Sequence, residues 1–297
     1  MKMFFLYYTI FCLTASLINA ENVNEFSLKE SICQQIAIDN KLARENVDFI
    51  GNELVVNSKQ SPVDLHCIAS DREIRMFKYK GPTFLIRDVI APESKIVFLS
   101  IEKTNGISFD FSPIPEDNSV MHLFCNGLSS EEILSFPLMS NVSLLVLKFS
   151  SSQYENNISL NELHKKFPNI KCMLLSNSKA IFHPSTLTKE EGQLFEKLTH
   201  AHLIKTDMKT ISFFLSYRLE GLEIGQMEID ARHLLSSPIR FYTLSDCIIR
   251  NMDSLLTMKH TVDFQILNSH CNTKTQSVYI KDLDISNKEI MKIFTSQ

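Results

Sequence analysis

A short apolar pattern recurs along most of this chain, and it limits the possible folds more than any other feature of the sequence. In the segment from Phe167 to Ile181, apolar residues stand at Phe167, Ile170, Met173, Leu175 and Ile181. Met173 and Leu175 are separated by one residue, which places both side chains on the same face of a β-strand. Similar pairs recur, mostly at intervals of 20 to 28 residues: Leu99/Ile101, Leu123/Cys125, Leu145/Leu147, Ala201/Leu203, Leu222/Ile224, Tyr242/Leu244, Phe264/Ile266 and, at a shorter interval, Val278/Ile280. The pattern therefore predicts a series of short strands whose paired residues point into a core.

Helical signals lie between several of these predicted strands. Ser129 is followed by Glu132, and Ser159 by Glu162, which is the spacing of an N-terminal capping box. The segment Thr186–Leu198 has apolar residues on one helical face and charged residues largely on the other. Strands that alternate with short helices at this period predict an α/β fold.

The phrase in Phe167 to Ile181 resembles one unit of a leucine-rich repeat, whose consensus is LxxLxxLxLxx(N or S)xxxI. The resemblance implies an α/β leucine-rich-repeat-like solenoid, or horseshoe, with a parallel concave sheet and helical convex segments. One feature departs from the family, because the asparagine that commonly closes the strand turn is replaced. The replacements are Ser150, Ser178, Thr206, Met227, Cys247 and Ser269. Another β-rich or α/β secreted fold is the alternative.

The sequence predicts four regions. Residues 1–20 are expected to be a signal peptide, and residues 21–94 an N-terminal cap with a degenerate first coil around Ile74/Met76. Residues 95–285 form the predicted solenoid. Residues 286–297 are expected to be a C-terminal cap helix, because a solenoid must cover its terminal apolar surface.

The N-terminus predicts export. Lys2 precedes an apolar run from Met3 to Ile18, and Ala20 follows as a small residue, which is typical of a cleaved secretory signal. A retained signal anchor is the alternative, and no later segment has transmembrane length. We therefore expect a secreted, extracellular protein. Asn141 and Asn157 stand in Asn-x-Ser patterns and are the candidate N-glycosylation sites.

Six cysteines remain after removal of the signal peptide, which permits up to three disulfides in an exported protein. We predict a bridge between Cys33 and Cys67, since both precede the clear repeats, where the solenoid needs a cap. Buried thiols are the alternative for Cys125 and Cys247.

The residues that flank the paired positions predict a binding surface. Side chains alternate along a strand, so the central residue of each pair projects from the concave face. Several are apolar, and contiguous exposed apolar side chains commonly mark a binding site. A covering loop or glycan, or a strand frame displaced by one residue, is the alternative. The predicted ligand-binding residues are Phe98, Phe124, Leu144, Val146, Leu174, His202 and Glu223.

Several functions are not expected from the composition and motifs of this sequence. The formal net charge is −4 with no long basic run, so we expect neither nucleic acid nor an anionic membrane as partner. No cofactor is expected, because a phosphate-binding glycine loop is missing. His200 and His202 lack a third ligand at recognisable spacing for a metal. Cys172 is predicted to lie beside His200, but the sequence shows neither an orienting group nor an oxyanion stabiliser for such a couple.

These observations predict a non-enzymatic, secreted protein-binding module with a role in recognition, immunity or host interaction. Two alternatives remain open. One is a structural component of an extracellular coat or matrix. The other is a secreted hydrolase with a site around Cys172, His200 and His202.

Overall fold

The computed structural model describes residues 33–59, 63, 65, 74–82, 90, 94–104, 108–150, 157–181 and 194–295. The structure is α/β, with a large, mostly parallel arrangement of 14 strands that does not close, and few helices. This confirms the predicted fold class at that level. The chain divides into two compact units. Unit 1 comprises Met1–Cys125 and Ser135–Asn141, and unit 2 comprises Asn126–Leu134 and Val142–Gln297.

Unit 1 contains a helical segment at 33–39 and five strands in sequential order. The strands are β1 (Val47–Ile50), β2 (Glu53–Asn57), β3 (Met76–Gly81), β4 (Phe98–Lys103) and β5 (His122–Asn126). Strands β1 and β2 form an antiparallel hairpin, whereas β2, β3 and β4 are parallel. The predicted first pair, Ile74/Met76, is wrong. Phe77 and Tyr79 are the buried pair of β3, in register with Leu99 and Ile101.

Unit 2 is built on six strands that pair in parallel and in register. They are β6 (Leu144–Lys148), β8 (Cys172–Ser176), β10 (His200–Ile204), β11 (Gly221–Gly225), β13 (Phe241–Ser245) and β15 (Asp263–Asn272). Met173 aligns with Leu145 and Ala201, and the alignment continues through Tyr242 to Phe264. All of these side chains are buried, so the predicted inward positions are confirmed.

Three-residue strands follow several of the main strands. They are β7 (Asn157–Ser159), β9 (Lys179–Ile181), β12 (Glu228–Asp230) and β14 (Ile248–Arg250). Strand β9 pairs with β7, while β12 pairs with β14 and β14 with the second half of β15. The last strand, β16 (Ser277–Ser286), is antiparallel to β15. Val278/Ile280 is therefore buried as predicted but does not continue the parallel series.

A left-handed residue stands at the same position directly after β5, β8, β10, β11 and β13, and at the equivalent position within β15. These residues with positive φ are Gly127, Asn177, Lys205, Gln226, Asp246 and Asn268. The backbone N–H of Lys205 donates to the carbonyl of Gly225, and Gly127, Asn177, Gln226 and Asp246 make the corresponding bonds to the neighbouring strand. The chain thus leaves these five strands by the same kind of turn.

Buried side chains stabilise the corners where the family consensus has asparagine. Ser269 accepts a hydrogen bond from the backbone N–H of Cys247 at 3.0 Å and donates to the carbonyl of Leu267 at 2.7 Å. The Cys247 thiol lies 3.4 Å from the carbonyl oxygen of Ile224. Serine and cysteine therefore satisfy backbone groups at these two corners.

Besides the helical segment at 33–39, the described α-helices are α1 (Ser130–Leu134), α2 (Leu160–Lys166), α3 (Met208–Leu215) and α4 (Lys292–Thr295), and all are short. Short 3₁₀ helices occupy Arg44–Asn46, Ala231–Leu234, Met252–Thr257 and Asn287–Glu289. The capping box of Ser129 and Glu132 is confirmed, because each side chain bonds the other's backbone N–H. Ser159 caps α2 as predicted.

Two further predictions concern the chain ends and one internal helix. Most of the predicted helix Thr186–Leu198, residues 186–193, lies outside the described residues, as does the predicted signal peptide. The predicted C-terminal cap helix is a 3₁₀ turn followed by α4.

Candidate functional site

In unit 2, one face of the main strands packs in the core, and the opposite face carries the candidate site. We call the second the outer face. It comprises Leu144, Val146, Cys172, Leu174, His200, His202, Glu223, Thr243 and Gln265, which alternate along their strands with the buried pairs. Five of the seven predicted ligand-binding residues lie here, and the predicted strand frame is therefore the observed one.

The apolar end of the outer face is formed by β6 and β8. Val146 is the Cα partner of Leu174, and Leu144 is the Cα partner of Cys172. Val146 is only 6% exposed, whereas Leu144 and Leu174 are half-buried. The accessible apolar surface on these two strands is therefore supplied mainly by the two leucines.

The other two predicted binding residues, Phe98 and Phe124, lie in unit 1. Their ring centroids are 4.8 Å apart, and Phe98 is 6% exposed. The Lys78 ammonium lies 5.8 Å from the centroid of Phe98 and forms a 2.6 Å ion pair with Glu53. This arrangement is a cation–π contact beside an aromatic pair.

The polar centre of the outer face is an imidazole held by a carboxylate on the neighbouring strand. Nδ1 of His202 lies 2.7 Å from Oε2 of Glu223 on β11. Cys172 lies on β8, the other strand that pairs with β10. Ser245 donates to the second carboxylate oxygen of Glu223 at 3.4 Å. Three adjacent strands therefore bring together a thiol, an imidazole and an acid.

These contacts favour a charged imidazole. Burial lowers the pKa of His202, but the hydrogen bonds to Cys172 and Glu223 and the charges of both groups outweigh it and raise the pKa to about 9. Both side chains of the ion pair are largely shielded from solvent, at 13% exposed for His202 and 10% for Glu223. An opposite charge at this distance in a shielded site stabilises the protonated ring.

His200 has a different environment, although it shares the outer face with His202. Its Nδ1 lies 2.9 Å from the Thr199 hydroxyl, and its Nε2 lies 4.0 Å from the Glu220 carboxylate. Burial lowers the pKa of His200, the Glu220 charge opposes this shift, and His202 adds to it. His200 is thus the neutral imidazole of the pair near pH 7.

The predicted neighbour of Cys172 is confirmed by the strand register. His200 is the Cα partner of Cys172. The orienting acid that sequence reasoning could not place is Glu223, which it predicted only as a ligand contact. The signal that could have found it is the alignment of His202 with Glu223 at the same position of consecutive repeats.

The remaining predicted sites are placed as follows. Cys33 is buried, while Cys67 lies outside the described residues, so their bridge stays a prediction. Asn141 is exposed, with its Nδ2 donating to the Asn118 carbonyl at 2.6 Å, and Asn157 is exposed at the start of β7.

The described residues contain no group of three or more His, Cys, Asp or Glu side chains arranged to hold a metal ion. None of the helices described is both long and apolar enough to cross a membrane.

Comparison of the chain with protein-family models, with curated proteins and with solved structures finds no match.

Proposed function

We propose that the chain is a secreted leucine-rich-repeat-like horseshoe whose concave face binds a protein partner. The regular strand register of unit 2 and the repeated left-handed corners support the repeat architecture. In this proposal, the outer face of unit 2 is part of the concave surface, and the chain acts by recognition rather than by turning over a substrate.

One observation carries the proposal. Leu144 and Leu174 remain half-buried on the face opposite the core, beside a column of shielded polar groups. Thr243 and Gln265 are the next members of that column after Glu223. A partner that places an apolar side chain against the leucines and hydrogen-bonding groups against Thr243 and Gln265 would match both parts. Interfaces commonly combine an apolar centre with a polar rim in this way.

Unit 1 offers a second contact surface of the same kind. Aromatic residues and cations are frequent at interface centres, and Phe98, Phe124 and Lys78 supply both chemistries. We propose that this aromatic pair also contacts the partner.

The alternative of an extracellular coat is less well supported. Such a coat requires self-association, and a strand edge is the usual template for it. Strand β16 pairs with β15 in the sheet. It carries exposed charged side chains at Lys281, Asp282 and Asp284. Charges of this kind discourage strand-to-strand association.

The proposal is tested by affinity capture with a matched control. The tagged mature protein is immobilised, extracellular fluid of the source organism is passed over it, and retained proteins are identified by mass spectrometry. Leu174→Glu is expected to lose the retained partner, because it places a charge in the apolar contact. Leu256→Glu makes the same chemical change at a leucine that is 43% exposed on a 3₁₀ turn, and it is expected to retain the partner.

Two outcomes contradict the proposal. Retention of the same partner by a folded Leu174→Glu variant would show that the outer face is not the contact surface. Equal loss with Leu174→Glu and Leu256→Glu would show that retention depends on charge rather than on this site. Leu144→Glu provides a second variant if Leu174→Glu does not fold by circular dichroism.

A further inference from the structure

The polar column of the outer face changes character between β11 and β13. His202 and Glu223 satisfy each other through their 2.7 Å ion pair, and Ser245 donates to the second carboxylate oxygen of Glu223. Thr243 and Gln265 follow in register on β13 and β15. They are only 6% and 5% exposed, yet neither side chain has a hydrogen bond to any group in the described part of the chain. The column therefore ends in a shielded hydroxyl and a shielded amide that lack partners.

The Gln265 amide points away from the core. Its sequence neighbours Phe264 and Ile266 are buried on the inner side of β15, and side chains alternate along a strand. Removal of a polar group from water is unfavourable unless a new hydrogen bond replaces the lost contacts. A ligand that pairs with the amide donors and acceptor of Gln265 would therefore remove an existing cost.

Exposed carboxylates flank Gln265 on the same side of the sheet. Asp284 on β16 is its Cα partner, Asp263 precedes it by two residues on β15, and Asp282 is the Cα partner of Leu267. All three aspartates are exposed, and none of them forms an ion pair within the described residues. Directly opposed residues of antiparallel strands have Cβ atoms about 4.5–5.5 Å apart, so Asp284 stands beside the Gln265 amide.

An aromatic ring borders the carboxylates on the other side. Phe241 on β13 is the Cα partner of Asp263, is half-buried, and precedes Thr243 by two residues, so it lies on the same side of the sheet. Its ring contacts no other aromatic side chain among the described residues. The basic residues beside these positions, Arg240 and Lys281, are exposed and form no ion pair with the aspartates. A cation supplied from outside can therefore contact both the carboxylates and the ring.

We infer that Phe241, Thr243, Asp263, Gln265 and Asp284 bind an arginine side chain of the protein partner. We call these five residues the arginine site. The planar fork of N–H donors in a guanidinium matches carboxylate oxygens, and it also donates to the Gln265 carbonyl and the Thr243 hydroxyl. Its flat face stacks on a ring such as Phe241.

The arrangement favours a guanidinium over smaller cations. The aspartates are not grouped to hold a metal ion, so an extended cation that reaches several acceptors fits them better. A lysine ammonium is a compact point charge and lacks both the fork and the flat face. The inference rests on the proposed function and deepens it, because it names a residue type that the partner presents beside the apolar contact.

The experiment uses peptides and does not require the partner. The probe is acetyl-Gly-Arg-Gly-amide, titrated into the mature protein and followed by saturation-transfer difference NMR, which detects weak ligands. The same peptide with citrulline is the matched probe, because citrulline keeps the planar shape without the charge. The same peptide with lysine keeps the charge without the planar fork.

The arginine peptide is expected to bind at least about tenfold more tightly than the citrulline peptide, because hydrogen bonds between charged groups are the stronger ones. It should bind at least about threefold more tightly than the lysine peptide. Asp284→Asn and Gln265→Met are each expected to weaken binding of the arginine peptide at least about fivefold. Asp117→Asn makes the same charge change at an exposed aspartate of unit 1 and should leave the affinity unchanged.

Absence of saturable binding by the arginine peptide would overturn the inference, and so would equal binding of the citrulline or the lysine peptide. Equal weakening by Asp284→Asn and Asp117→Asn would show that net charge attracts the peptide, and would overturn the site. The peptide comparison on wild-type protein decides the question even if a variant fails to fold. Because no partner is present, failure here is distinct from failure of the Leu174→Glu capture.

Discussion

Replacement of Lys205 by glycine is expected to stabilise the protein. Lys205 follows β10 with a φ of 51°, in the left-handed region, and its side chain is exposed. This conformation is unfavourable by about 1–2 kcal/mol for a residue with a Cβ. Glycine avoids that cost, but it loses about 0.5–1 kcal/mol more through its freedom in the unfolded chain. The difference predicts a gain of about 0.5–1 kcal/mol for Lys205→Gly.

The same substitution at Lys148 is the matched control. Lys148 is also exposed, but it is the last residue of β6 and is not among the residues with positive φ. Lys148→Gly therefore has no left-handed strain to relieve, and it is expected to cost about 0.5–1 kcal/mol. Both variants lose one lysine, so the change in net charge is the same and cancels in the comparison.

The assay is urea unfolding followed by circular dichroism, with the slope of the transition compared among the three proteins. An unchanged slope allows the midpoints to be read as stability differences. The two variants are expected to differ by about 1–2 kcal/mol, with Lys205→Gly the more stable. Equal destabilisation by both substitutions would refute the reasoning, because it would show that the chain does not turn through a left-handed residue after β10.

Three further predictions concern single contacts. Ser269→Ala is expected to cost about 1–3 kcal/mol in urea unfolding, because the buried N–H of Cys247 loses its acceptor, and a change below about 0.5 kcal/mol would contradict this. Hydrogen bonds from Arg232 are the main cause that lowers the pKa of Asp230 below its ordinary 3.8. The stability that the ionised Asp230 contributes is therefore present above about pH 4 and is lost as the pH falls further. Asp230→Asn should therefore flatten the acid limb of the stability profile below about pH 4, and an unaltered limb would contradict it. In a glycosylating host, Asn157→Gln should lower the mass of the protein by one glycan, and an unchanged mass would show that the site is unused. The unfolding midpoint should stay the same, because Asn157 is exposed.

The inward positions could be predicted because a spacing of two identifies one face of a strand. Where two frames compete, the same rule fails. Apolar side chains at Ile74, Met76, Phe77 and Tyr79 fit two strand frames, and only the register with β4 shows that Phe77 and Tyr79 point inward. Pairing across strands therefore decided what the local pattern left ambiguous.

The direction of the last strand could have been predicted from its connection. Only residues 273–276 separate β15 from β16, and the N–H of Thr273 donates to the carbonyl of Gln276 across this turn. A parallel neighbour requires a crossover of a dozen or more residues. The apolar spacing of Val278 and Ile280 is the same for both directions, so the spacing alone could not exclude the parallel arrangement.

The neighbours on the outer face could be predicted from the alignment of the repeats. Alignment of the strands predicts that His202 and Glu223 are neighbours, and that Cys172 is the neighbour of His200, as observed. The alignment does not show which of the two histidines forms the shielded ion pair. The 2.7 Å contact of His202 with Glu223 depends on side-chain conformation, and a consensus pattern carries no information on it.

The apolar and the ionic parts of the outer face are adjacent, so a chemical label on Cys172 tests the proposed partner contact. Leu144 is the Cα partner of Cys172, so a group attached to the Cys172 sulfur would lie beside the proposed apolar contact. Modification by dithiodipyridine is therefore expected to reduce partner retention at least tenfold, and reduction with dithiothreitol should restore it. Cys172→Ser, which adds no bulk, should retain the partner and be insensitive to the reagent. Undiminished retention by fully modified protein would place the partner away from β6 and β8.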